Sequence, residues 1–99
     1  MDFASFRKSV DTQDAVTAPD GLSLAVQALW WDARGDWARA HELAQQQDDA
    51  AGAWVHAYLH REEGDPGNAA YWYRRAGRTP AGGALAAEWE AIARALLED

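Results

Sequence analysis

The chain has 99 residues, no cysteine and a formal net charge of −7. Its 48% hydrophobic and 25% charged residues are ordinary for one globular domain and argue against disorder. The acidic balance excludes the basic surface that nucleic acids and anionic membranes attract, and the lack of cysteine excludes disulfides and thiolate metal sites.

The first predicted element is a short amphipathic turn or helix over residues 2–10, followed by a polar linker over residues 11–20. The start of the chain lacks the basic and apolar regions of a signal peptide, and no stretch approaches about 18 apolar residues. We therefore expect a cytoplasmic protein with no membrane partner and no nucleic-acid partner. Residues 1–21 are assigned to an N-terminal segment with its linker, and residues 22–99 to the main helical domain.

Four segments rich in Ala, Glu, Gln, Arg and Leu follow, and these are good helix formers. They are separated at Gly35-Asp36, at Asp48-Asp49 and at Gly64-Asp65. Glycine ends a helix in the left-handed conformation, and aspartate caps the start of the next helix. The predicted helices span about residues 24–34, 37–47, 50–63 and 66–76.

A fifth helix is predicted after the Gly- and Pro-containing loop at residues 79–83. Its pattern is one-sided, which is typical of a terminal element that closes a core against solvent. The sequence therefore predicts an all-α fold of about five helices. The apolar stripe of the fifth helix comprises Leu85, Trp89, Ile92, Ala93 and Leu96, and the opposite face carries Glu88, Glu90, Arg94 and Glu98.

The chain also contains an internal repeat, because an offset of 29 residues places Gly35-Asp36 on Gly64-Asp65 and Ala28 on Ala57. The segments ALWWDARGDWARAHELA and AYLHREEGDPGNAAYWYRRAG resemble tetratricopeptide (TPR) and Sel1-like repeats over about residues 22–80. The resemblance implies two TPR-like antiparallel helical hairpins with a C-terminal capping helix, and a protein- or peptide-binding role. The stretch WVHAYLHR…GD…YWYRRAG is also similar to that of a group of small bacterial proteins, a likeness that implies no particular activity. An ordinary five-helix bundle is the alternative.

The resemblance also indicates a binding surface, because the first helix of each repeat lines the concave face. Trp, Tyr and Arg are enriched at binding hot spots, so we expect a protein or peptide to bind there. The alternative is that a terminal helix folds over these side chains as core. Two repeats are too few for a stable stack, so either the terminal helices complete the core or the protein forms a homodimer. The groove residues are Leu29, Asp32, Trp54, Tyr58 and Arg61.

Basic residues cluster at the end of the fourth predicted helix. Arg74 and Arg75, together with Tyr71, could form a second partner-binding patch for an anion or an acidic peptide. The simpler interpretation is that these cations complement the helix dipole.

The histidines suggest a different kind of site. His56 and His60 are four residues apart on one face of the third predicted helix, and Glu63 continues that line. Two imidazoles and a carboxylate can bind zinc, although His41 would have to join them from another helix. The alternative is that these histidines are packed or hydrogen-bonded side chains.

The remaining alternatives are a small acid–base enzyme that uses these histidines with Glu62 or Glu63, and a small-molecule cleft containing Trp54 and Tyr58 with Arg61 as an anion clamp. The sequence contains no nucleophile elbow or phosphate-cradling loop. We therefore expect no cofactor, and a binding protein rather than an enzyme.

Overall fold

The structure is a computed structural model that describes residues 1–97. Within that range the chain is all-α, as predicted, and has six helices rather than about five, because the N-terminal segment forms a complete helix. None of these helices has both the length and the apolar character needed to cross a bilayer. The helices are α1 (Phe3–Val10), α2 (Leu24–Ala33), α3 (Trp37–Gln46), α4 (Ala50–Glu62), α5 (Pro66–Arg75) and α6 (Leu85–Leu97).

The two Gly-Asp turns have the same conformation, so the 29-residue offset of the sequence is also an offset in backbone geometry. Gly35 and Gly64 have φ angles of 89° and 88°, values that favour glycine. The next residue in each turn, Asp36 or Asp65, donates its N–H to a carbonyl of the preceding helix at 2.9 Å. Its carboxylate then accepts an N–H from the first turn of the following helix.

Helix α4 is the centre of the fold. It packs against α2, α3, α5 and α6, and every residue from Gly52 to His60 is buried. Alanines at the crossings, including Ala28, Ala40, Ala57 and Ala69, are at most 3% exposed and let the helices approach closely. Because α4 is covered on all sides, its polar side chains must find partners within the protein.

Helix α6 closes one side of this core, as its one-sided pattern predicted. Trp89 is buried, stacks on Phe6 of α1 with ring centroids 5.8 Å apart, and donates its indole N–H to the Leu29 carbonyl at 3.0 Å. The prediction that Glu88 lies on the solvent face is wrong, because Arg61 and Tyr73 supply hydrogen bonds that permit its burial. Glu98, assigned to the same face, lies outside the described residues.

One side chain holds the linker between α1 and α2. The guanidinium of Arg34, at the C-terminal end of α2, donates to the backbone carbonyls of Val10, Thr12 and Ala15. It also lies over the ring of Trp30, 4.8 Å from the centroid. The path of the linker is therefore fixed from α2.

Candidate functional site

The three histidines of the chain lie together between α3 and α4. His41, His56 and His60 each offer a ring nitrogen, and these three atoms all lie within 4.8 Å of one another. The Nε2 atoms of His41 and His56 are 3.0 Å apart. His56 and His60 share a face of α4, and His41 reaches them from α3. We refer to these three residues as the histidine cluster.

Two tryptophans hold the rings of the cluster in place. Trp37 stacks on His41 with centroids 4.9 Å apart, and its indole N–H donates to the Leu59 carbonyl at 2.9 Å. Trp72 of α5 stacks on His56 with centroids 3.8 Å apart and planes inclined by 15°. Both imidazoles are therefore fixed by contacts outside the cluster, which is the support that a preorganised site requires.

Glu63 fixes the third ring. Its Oε2 lies 2.6 Å from Nδ1 of His60. A neutral His60 that donates from Nδ1 to this carboxylate has its lone pair on Nε2, the other side of the ring. Glu63, a candidate metal ligand from the sequence, is hydrogen-bonded to His60 in the structure, and a carboxylate in this position can orient the imidazole.

His56 contains a buried nitrogen without a partner. Its Nδ1 makes no hydrogen bond to any residue that the structure describes, although the side chain is only 4% exposed. Burial, followed by repulsion from His41 and His60, lowers the pKa of His56 to about 4. Burial also lowers the pKa of His41. Both rings are therefore neutral at pH 7, and one of their Nε2 atoms donates its N–H to the other, a hydrogen bond that an ion bound to both rings would replace.

The low pKa of His56 has a consequence for stability. The unfolded chain, in which His56 titrates near 6.5, binds more protons than the folded chain between pH 6.5 and about 4. The free energy of unfolding should therefore fall as the pH falls through this range, by roughly 3 kcal/mol for this group. We expect His56→Phe to flatten that loss in denaturant titrations of chelator-treated protein. An equally steep loss in the variant would contradict the role of His56.

The cluster has the composition of a three-histidine zinc site. Zinc binds imidazole nitrogen at about 2.0–2.1 Å, so two such ligands lie roughly 3.3 Å apart in a tetrahedral complex. The Nε2 atoms of His41 and His56 are 3.0 Å apart as a hydrogen-bonded pair, and the three candidate atoms lie within 4.8 Å, so small side-chain shifts would bring them onto one ion. His41 is only partly buried, which leaves a route from solvent. A second acidic set, comprising His60, Glu63 and Asp65, is more exposed, and the Asp65 carboxylate already accepts the N–H of Asn68.

The structure covers the groove that was predicted for partner binding. Leu29 is fully buried, and Trp54 and Tyr58 are 9% and 3% exposed. The reason is that α6 packs on both α2 and α4 and places its apolar stripe there. The cleft proposed to join Trp54 and Tyr58 is divided, because Trp54 borders a cavity of about 680 Å³ and Tyr58 a different one of about 410 Å³.

Arg61, the predicted anion clamp, is already occupied. It donates to Glu88 at 2.9 Å and to the Gly83 carbonyl, and the Tyr73 hydroxyl donates to the same Glu88 carboxylate at 2.6 Å. Burial and this hydrogen bond raise the pKa of Tyr73. These contacts tie α4, α5 and the loop before α6 together, so Arg61 has a structural role.

The second predicted patch is on the surface. Arg74 and Arg75 are exposed, and Tyr71 is 43% exposed. Arg75 donates to the Tyr71 hydroxyl at 3.1 Å and lies over the Trp72 ring. The binding of a protein, peptide or second copy there remains a prediction.

No protein family, curated protein or solved structure matches this chain. The resemblance to helical-hairpin repeats therefore remains a prediction.

Proposed function

We propose that the protein binds a divalent transition-metal ion, with zinc as the reference ion, through His41, His56 and His60. The observation that carries this proposal is the convergence of all three histidines of the chain, from two helices, on one small volume. The packing of α3 against α4 does not by itself require that all three histidines lie at the same place.

The composition of the chain limits which metal ions the cluster can bind. With no cysteine, soft thiolate ligation is excluded, whereas imidazole suits zinc, copper, nickel and iron. Calcium and magnesium prefer all-oxygen sites, and the cluster offers nitrogen. Three protein ligands leave a fourth position of a tetrahedral ion open to water or to another ligand.

The surroundings support binding rather than acid–base chemistry by the histidines themselves. Trp37 and Trp72 cover two of the rings, so a general base in the cluster would have little contact with a substrate. An ion needs less space and can enter beside His41. Glu63, which is partly exposed, keeps His60 oriented from the outside.

The test is a calorimetric titration of chelator-treated protein with Zn²⁺, followed by Co²⁺ absorption spectroscopy. We expect one ion per chain and a visible cobalt spectrum typical of nitrogen and oxygen ligands. His41→Gln should abolish the one-to-one complex, since it removes a ligand from the partly exposed side of the cluster. Glu63→Gln should weaken binding by about 10- to 100-fold, because it removes an outer hydrogen bond and leaves the ligands in place.

Glu42→Gln is the matched control. It removes the same charge from the exposed residue next to His41, without a contact to the cluster, and should leave the affinity unchanged. If wild type bound no ion, or if His41→Gln bound zinc as wild type does, the proposed function would be wrong.

A further inference from the structure

A second site lies on the other side of α4 and involves none of the histidines. It is a cavity of about 410 Å³ between α1, α2, α4 and α6, wide open to solvent and with exposed residues such as Ala33, Leu85 and Ala86 in its wall. Its polar wall carries Asp32, Tyr58 and Glu62, and its apolar wall carries Ala33, Leu85, Ala86 and Trp89. We refer to this space as the acidic cavity.

The charge of the acidic cavity is not balanced from within. Among its lining residues Arg7 is the one cation, and its guanidinium already forms two hydrogen bonds to Asp11, at 3.1 and 3.2 Å. Glu90 at the rim pairs with Arg94 at 2.8 Å. In the described part of the chain neither Asp32 nor the exposed Glu62 forms an ion pair; Asp32 is only 9% exposed, and burial with a hydrogen bond to Glu62 raises the pKa of Asp32 to about 8. Asp32 is therefore protonated at neutral pH, and a cation in the cavity would take the place of that proton beside the two carboxyl groups.

Tyr58 provides an independent observation. Its side chain is 3% exposed and borders the cavity, yet its hydroxyl makes no hydrogen bond to any described residue. Among the described residues His56 Nδ1 is the one fully buried side-chain nitrogen or oxygen atom without a partner, so the Tyr58 hydroxyl keeps contact with the open space of the cavity. Burial, followed by the negative charges of Asp32, Glu62 and Glu88, raises the pKa of Tyr58, so its hydroxyl remains protonated at neutral pH. The hydroxyl and the two carboxyl groups thus lie around one space, where Asp32 and Glu62 are hydrogen-bonded to each other.

The apolar wall determines which cation fits. A metal ion would leave most of about 410 Å³ empty and would find no gain in Leu85, Ala86 or the Trp89 ring. An alkyl chain can pack on these groups while an ammonium group at its end donates up to three hydrogen bonds. Oxygens on Asp32, Tyr58 and Glu62 supply three acceptors.

We infer that the acidic cavity binds the primary ammonium group of an aliphatic amine, with Asp32, Glu62 and the Tyr58 hydroxyl as its acceptors. The source of that group is either a free alkyl amine or a lysine side chain of another protein. Both share the chemistry that the cavity recognises, and separate probes distinguish them.

The experiment is an NMR titration of isotopically labelled protein with cadaverine and, separately, with Nα-acetyl-lysine amide, which keeps its ε-ammonium group. Both titrations are made at about 0.15 M salt, where weak surface attraction is screened. Pentanediol, which has hydroxyls in place of ammonium groups, is the neutral control. We expect saturable amide shifts around Asp32 and Tyr58 with at least one of the amines, and none with the diol. Binding of cadaverine alone assigns a free amine as the ligand, and binding of the lysine derivative assigns a partner's side chain.

The variants separate the cavity from the general negative charge of the protein. Asp32→Asn should weaken amine binding by about tenfold or more, and Tyr58→Phe, which keeps the ring and its packing, by several-fold. Asp14→Asn removes the same charge from an exposed linker position outside the cavity and should have no effect. Absence of saturable shifts with both amines, or equal weakening by Asp14→Asn, would overturn the inference. None of these results bears on the histidine cluster, which zinc titration tests separately.

Discussion

Gly52→Ala is expected to destabilise the protein strongly, although glycine to alanine in a helix normally stabilises by about 1 kcal/mol. Gly52 lies in the first turn of α4, where a Cβ atom would overlap the backbone carbonyl oxygen of Gln47 and come within 2.9 Å of its carbonyl carbon. Gln47 cannot easily move away, because its side-chain Oε1 accepts the N–H of Ala25 at 2.8 Å. The substitution must therefore displace either the α3–α4 connection or the start of α2.

Overpacking of this kind costs about 3 kcal/mol, which corresponds to a fall in Tm of roughly 15 °C for a domain of this size. Gly67→Ala in α5 is the matched control. The nearest atom to a Cβ there is a carboxylate oxygen of Asp65 at 3.9 Å, so the change should stabilise by a few tenths to about 1 kcal/mol. Thermal unfolding followed by circular dichroism measures both. Equal effects of the two substitutions would contradict the packing described at Gly52.

The second large effect is expected at Glu88. Replacing it with leucine removes the acceptor of both Arg61 and Tyr73, and leaves a guanidinium that is 18% exposed without its carboxylate. Breaking a buried pair from one side is far more costly than the pair itself is stabilising, so we expect a loss of about 3 kcal/mol in chemical denaturation.

Two further variants test whether the unpaired Arg61 charge causes the loss of stability in Glu88→Leu. Glu90→Leu, two residues away on the same helix, breaks a surface pair with Arg94 and should change stability by less than about 1 kcal/mol. The double variant Arg61→Leu/Glu88→Leu removes both charges and should recover part of the loss. If the double variant were less stable than Glu88→Leu by the full cost of Arg61→Leu, the two residues would be acting independently.

Many helix boundaries could be predicted because capping and turn residues determine them locally. Ser23, Asp36 and Asp65 cap helices where the sequence placed their starts, since each needs only its own first turn. The burial of Glu88 could not be predicted, because it depends on Arg61 and Tyr73 of other helices. The local pattern could not decide whether Trp54 and Tyr58 line an open groove or are covered by α6, because this depends on how the helices pack.

The histidine cluster was predicted in part. The spacing of His56 and His60 placed them on one face, whereas His41 was only considered. A usable signal was present: in a helical hairpin, residues equally distant from the turn lie opposite each other, and His41 and His56 are equally distant from Asp48-Asp49. The acidic cavity was predicted in part, because Asp32 and Tyr58 were both assigned to the groove, whereas its apolar wall depends on where α6 packs.

Because the linker is attached to Arg34, it has a defined path without the backbone amide hydrogen bonds that usually accompany an ordered segment. The Arg34 guanidinium donates hydrogen bonds to three backbone carbonyls. The path between α1 and α2 is therefore defined, although it contains no regular secondary structure. Within residues 12–20 only Thr12 and Ala15 donate their amides to other backbone carbonyls of the described chain. The segment is thus ordered on its acceptor side and open to solvent on its donor side, and rapid amide exchange there would report accessibility rather than disorder.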